Sequence, residues 1–87
     1  MHESERQKIL NVFSNGEKML LYYEAIGMKS LRDFANADAN EIAMRIDIHL
    51  GGKHINRLGL QAIQNVIDAA KREVEEQAQG QHNISGP

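Results

Sequence analysis

The sequence predicts an all-α domain of five short helices, a tandem helical layout that ends in a longer C-terminal helix. Three observations predict it. Apolar residues recur at helical i, i+3, i+4 spacing in nearly every segment. Glycines fall at the ends of those segments, at Gly16, Gly27 and Gly51-Gly52. Only Ile42–Leu50 alternates as a strand would, and no second strand candidate exists to pair with it. The 87 residues suit one small domain with a modest core and no room for a deep cofactor cavity. With 10 basic against 12 acidic residues, the net charge is −2, so no global positive field advertises a polyanionic partner. The chain has no cysteine, which removes disulfides, thiol nucleophiles and thiolate metal sites.

The first helix is predicted over Ser4–Phe13, with Ser4 and Gln7 as a capping box and Ile9, Val12 and Phe13 on its inner face. Asn11 and Ser14-Asn15-Gly16 break it, and Gly16 is the residue suited to positive φ. The second helix, Glu17–Ile26, carries Met19, Tyr22, Tyr23 and Ile26 at helical spacing. Leu20, Leu21 and Ala25 make it apolar nearly all round, which predicts a central position. Gly27 is its C-terminal stop. Ser30 and Asp33 open a short third helix through Ala35. Asp38 and Glu41 then open a fourth over Ala39–Asp47. A strand exchanged between two copies is the alternative for Ile42–Leu50.

After Gly51-Gly52 the last helix is predicted from about Lys53 to about Gln77. Ile55, Leu58, Ala62, Val66, Ala70 and Val74 form its stripe, with Ile63 and Ile67 beside them. Gly59, inside it, suits the close approach of a neighbouring helix, and Asp68 with Arg72 forms an i, i+4 ion pair. These elements make residues 1–77 a single helical domain, and 78–87 read as a polar disordered tail.

The charged start, Met1 to Lys8, is followed by no apolar signal region, and Met19–Tyr23 is the longest apolar run. The expected compartment is the cytoplasm, with no membrane partner. Asn83-Ile84-Ser85 fits a glycosylation acceptor but lacks the export context that would make it one. His49 and His54 flank the second glycine turn with Asp47 nearby, but no strong third ligand stands at a metal-binding spacing, so no metal or other cofactor is expected. No nucleophile has a spaced base and no phosphate-binding loop ends in Gly-Lys-Ser/Thr, so the chain is expected not to be an enzyme.

Two turns align when the chain is laid over itself, Val12–Met19 over Ile48–Ile55, with the short Ser30–Ala35 helix between them. That layout, with the run Ala25-Ile26-Gly27-Met28-Lys29-Ser30-Leu31-Arg32-Asp33-Phe34-Ala35-Asn36-Ala37-Asp38, resembles the tandem helix-hairpin-helix domains, and is similar to small bacterial helix-hairpin-helix and sterile-alpha-motif-like proteins. The resemblance covers about residues 4–76. It implies an accessory module that docks on the phosphate backbone of DNA without sequence preference, through hairpin amides, a helix N-terminus and a nearby cation. The residues so implied are Ser14, Asn15, Gly16 and Lys18 at the first hairpin, and Gly51, Gly52, Lys53, His54 and Arg57 at the second. Ser14 and Asn15 depart from the family's Gly-hydrophobic-Gly turn, and Glu17 sets a negative charge beside it; the second hairpin lies closer to the pattern. A working footprint requires Lys18, Lys53, Arg57 and Lys29 on one face. The competing expectation is a protein-interaction or homodimeric assembly domain that uses the apolar stripe of the last helix.

Overall fold

Helix-stop signals and buried stripes at helical spacing divide the described residues into four α-helices and one 3-10 turn. The computed structural model describes the backbone of residues 1–84 and the side chains of residues 1–78. The elements are α1 (Glu3–Leu10), α2 (Glu17–Ala25), the 3-10 turn Leu31–Phe34, α3 (Ala39–Leu50) and α4 (Arg57–Ile84). Among the described residues there is no strand. The all-α prediction stands, with four α-helices and a 3-10 turn where five helices were expected.

The segment with two readings is helical. Asp38 caps α3 by accepting the Glu41 amide at 3.0 Å. Gly51, at φ +75°, ends it, and the Gly52 and Gly51 amides return to the Asp47 and Ile48 carbonyls. The strand-like alternation of Ile42–Leu50 has a simple origin: Ile42 and Ile46 face the core while Met44 and Ile48 face solvent. Gly27, at φ +89°, closes α2 in the same way, the Met28 and Gly27 amides bonding to the Tyr23 and Glu24 carbonyls. Arg45 of α3 donates to the Ile26 carbonyl at 2.7 Å, which ties the two helices together.

Several expectations are corrected. Helix α1 starts at Glu3 behind an uncapped His2, and Ser4 is not its cap. It stops at Leu10, so the helical phase is lost before Phe13, which is 84% exposed. Helix α2 buries Leu20 and Tyr23 but exposes Leu21 and Ala25, so it lies along one side of the core. The predicted third helix is only one 3-10 turn, held by the Glu5 and Asp33 carboxylates. Asp33 accepts the Lys29 and Ser30 amides, and Glu5 accepts the Leu31 amide at 2.9 Å. That amide, with Lys8 beside it, holds the Glu5 carboxyl below its ordinary range.

Helix α4 begins at Arg57, because Asn56 caps it by accepting the Gly59 amide at 2.9 Å. Its helical backbone runs to Ile84, past the expected boundary at Gln77. The expected polar tail falls on residues 78–87, of which 85–87 lie outside the described residues. Ala62, Ile63, Val66, Ile67 and Ala70 are at most 1% exposed, and the last four join the side chains of every other element in one cluster. The stripe is therefore the core itself, and Leu58, at its start, points away from it. What crowds Gly59 is Ile55 of the preceding segment, 3.2 Å from where a Cβ would lie, and not a neighbouring helix. Asp68 accepts from Gln64 and forms no ion pair with Arg72.

Candidate functional site

The first hairpin is built around Asn15, which is 5% exposed. Its side-chain nitrogen donates to the Phe13 carbonyl at 3.1 Å and to the Ala62 carbonyl of α4 at 2.9 Å. Its side-chain oxygen accepts from the Tyr23 hydroxyl at 2.5 Å. Burial raises the Tyr23 hydroxyl well above the ordinary tyrosine range, so it stays protonated and donating. Asn65 of α4 also donates to the Phe13 carbonyl. Asn15 is thus a tether between the α1–α2 hairpin, α2 and α4, with both ends of its amide occupied inside the chain.

The left-handed residue of this hairpin is Ser14, at φ +69°. Gly16 was expected to hold that role, but it is extended at φ −100° and caps α2 with no side-chain bond. A Cβ there would meet nothing within 4 Å. Helix α2 therefore opens without a side-chain acceptor for its first amides, and Lys18, in its first turn, lies 5.9 Å from the Tyr22 ring centre.

The second hairpin was expected to present free amides, and four of its amides are engaged within the chain. The Gly51 and Gly52 amides are bonded to carbonyls at the C-terminus of α3. Beyond Lys53, two more are bonded to a carboxylate: Asp47 Oδ1 accepts from the His54 amide at 2.8 Å and the Ile55 amide at 3.0 Å. An internal carboxylate thus takes two of the amides that the reading assigned to a phosphate. The periodicity placed Asp47 on a helix surface and carried no sign of this role; an acidic residue in the last turn of a helix, followed by a Gly-Gly turn, is the signal that points to it.

The nine predicted residues are not gathered in one depression. Ser14, Lys18 and His54 share an open cleft with Met19, Tyr22 and Leu58, between the two hairpins. Gly51, Gly52 and Lys53 line a separate groove along α3. Arg57 lines a third, with Asn40 and Gln61. Lys29 lines a fourth, with Met1 and His2. The four cations that a common footprint requires are thus distributed over four depressions.

Sequence reasoning missed the α3 groove as a surface. Its apolar wall is Ala43, Met44 and Ile48, and Asn40, Asp47 and Lys53 edge it. Met44 is 56% and Ile48 72% exposed, one helical turn apart on the face opposite the core. The alternating pattern of Ile42–Leu50 contained this information, since a helix with apolar residues at both i and i+2 has two apolar faces. Among the described residues, no three His, Asp or Glu side chains are grouped to hold a metal ion, and no helix is long and apolar enough to cross a membrane. Neither family models, curated proteins nor solved structures compared with the chain match it.

Proposed function

We propose that this chain is a non-catalytic interaction module that joins a second copy of itself through the outer face of α3. The observation that carries the reading is the pair Met44 and Ile48, exposed one turn apart on a helix whose other face is already committed to the core. The turn that ends the groove is Gly51-Gly52, which adds no side chain to obstruct a facing helix. Charge favours a second copy packed antiparallel. Glu41 stands in the first turn of α3 and Lys53 just beyond its last, so each would face the opposite charge on the other copy, with the helix dipoles opposed. The central part of the α4 stripe, Ala62 to Ala70, takes no part, because it is buried.

A face this small supports only weak pairing, with a dissociation constant on the order of 0.1 mM. Sedimentation over about 10 µM to about 1 mM should show mass rising with concentration. Replacing Met44 and Ile48 together by glutamate should leave a monomer with unchanged helicity, since neither side chain is in the core. Glu41→Lys or Lys53→Glu alone should weaken pairing and the two together restore it. A wild-type monomer at every concentration overturns the reading.

A second reading rests on α2. Its unfilled N-terminus, with Lys18 and His54 in the adjoining cleft, supports docking on a nucleic-acid phosphate backbone at the first hairpin alone. Fluorescent duplex DNA titrated across a salt series tests it. Affinity should fall linearly in log–log form with a shallow slope of about −1 to −2, and Lys18→Glu should abolish it. Absence of binding at low salt overturns this reading.

A further inference from the structure

We propose that Asn15-Gly16 is a deamidation site that the fold keeps closed, so that its rate of modification reports how often the α1–α2 hairpin is open. The chemistry begins in the sequence. Gly16 has no Cβ, and its backbone nitrogen is open to attack the Asn15 side-chain carbonyl carbon, Cγ. In that step the bond from Gly16 N to Asn15 Cγ forms and the bond from Cγ to Nδ2 breaks. The Gly16 nitrogen gives up its proton and Nδ2 leaves as ammonia. Water then opens the cyclic imide at one of its two carbonyls, which yields aspartate or isoaspartate. One water is consumed, one ammonia is released and no electron is transferred.

The folded chain holds the reacting group away from this path. Asn15 Nδ2 is engaged by the Phe13 and Ala62 carbonyls and Oδ1 by the Tyr23 hydroxyl, and the residue is 5% exposed. Turning Cγ toward Gly16 N breaks these bonds, of which those to Ala62 and Tyr23 are buried, with little water to replace them. Crowding of the backbone plays no part, since Gly16 is exposed and open space surrounds its Cα. Reaction therefore requires local opening, and its rate scales with the fraction of chains open at any moment. The product does not close again as before. A carboxylate at position 15 has lost both donors and would face the oxygens of Phe13 and Ala62. Opening is reversible, but modification converts it into a one-way loss of the tether.

The test uses the full chain, held at mildly alkaline pH in native buffer and in urea, with peptide mapping by mass spectrometry and isoaspartate labelling. Modification at Asn15 should be at least about 100-fold slower in buffer than in urea. Tyr23→Phe removes one of the three restraints and should speed the native reaction about tenfold without changing the urea rate. Gly16→Ala, which fits the open space at that position, should slow the reaction in urea about tenfold because the added Cβ obstructs the attack. Equal rates in buffer and urea, a native rate indifferent to Tyr23→Phe, or a urea rate indifferent to Gly16→Ala would each overturn the proposal.

Discussion

Phe34→Ala is expected to destabilise the fold by about 3–5 kcal/mol, a large share of the total stability of a domain this small. The 3-10 turn that carries Phe34 is four residues long and cannot hold itself in place by its own hydrogen bonds. Its position is set by what its two buried side chains, Leu31 and Phe34, reach. Phe34 is fully buried and meets the Tyr23 ring edge-on at 5.0 Å. Truncation leaves a ring-sized void between α2 and α4 and removes the main contact that keeps the turn against the core. Phe13→Ala supplies the control within the same chain. That ring is 84% exposed, so its loss should cost no more than about 0.5 kcal/mol. Urea unfolding of the two variants, with a lower midpoint and an unchanged slope for Phe34→Ala, checks the contrast. Similar midpoints for both would mean that the turn is not a core element.

The difference between the two phenylalanines shows what periodicity reveals. Local signals placed the elements well: Asp38 with Glu41 marked the start of α3, and Gly27 marked the end of α2. The stripe of α4 was legible because five of its residues repeat on one helical face. Where the helical phase breaks, the reading fails, as at Phe13, beyond the early end of α1, and at Leu58, in the first turn of α4. Alternation in α3 was legible as a pattern but not as two faces, because which face meets the core is decided by residues elsewhere in the chain. The polar tethers were hidden for a stronger reason. Asn15 reaches Ala62 across 47 residues, and nothing in the run Ser14-Asn15-Gly16 distinguishes a turn-forming asparagine from one that bonds to a distant helix. Asp47 is the same case over a shorter span: its acceptance of the His54 and Ile55 amides depends on the path of the Gly-Gly turn. The candidate site changed more than the fold for this reason. Apolar spacing encodes burial, whereas the availability of an amide depends on every acceptor that can reach it.

Asn15→Ala carries the second large effect, an expected loss of about 2–4 kcal/mol. The substitution removes two donors and one acceptor at once. The Tyr23 hydroxyl, buried beside α4, then has no acceptor, and the Ala62 carbonyl loses its side-chain donor. Ser14 remains in its left-handed conformation without the neighbour whose bonds secure the turn, so strain of about 1 kcal/mol or more is no longer offset. A double-mutant cycle with Tyr23→Phe separates these contributions. Removing the hydroxyl first spares the chain an orphaned donor, so Asn15→Ala should cost less in the Tyr23→Phe background, with a coupling of about 1–2 kcal/mol. Alkaline titration gives an independent reading of the same bond. The folded chain keeps the Tyr23 hydroxyl protonated beyond the ordinary tyrosine range, while the unfolded chain releases the proton near pH 10. Stability from this group is therefore complete below about pH 10 and declines as the pH rises above it, by up to about 1.4 kcal/mol per pH unit. Tyr23→Phe should abolish that part of the decline. Additive costs in the cycle, with the same alkaline slope in Tyr23→Phe as in the wild type, would show that Asn15 and Tyr23 act separately and that the hairpin is held by apolar packing alone.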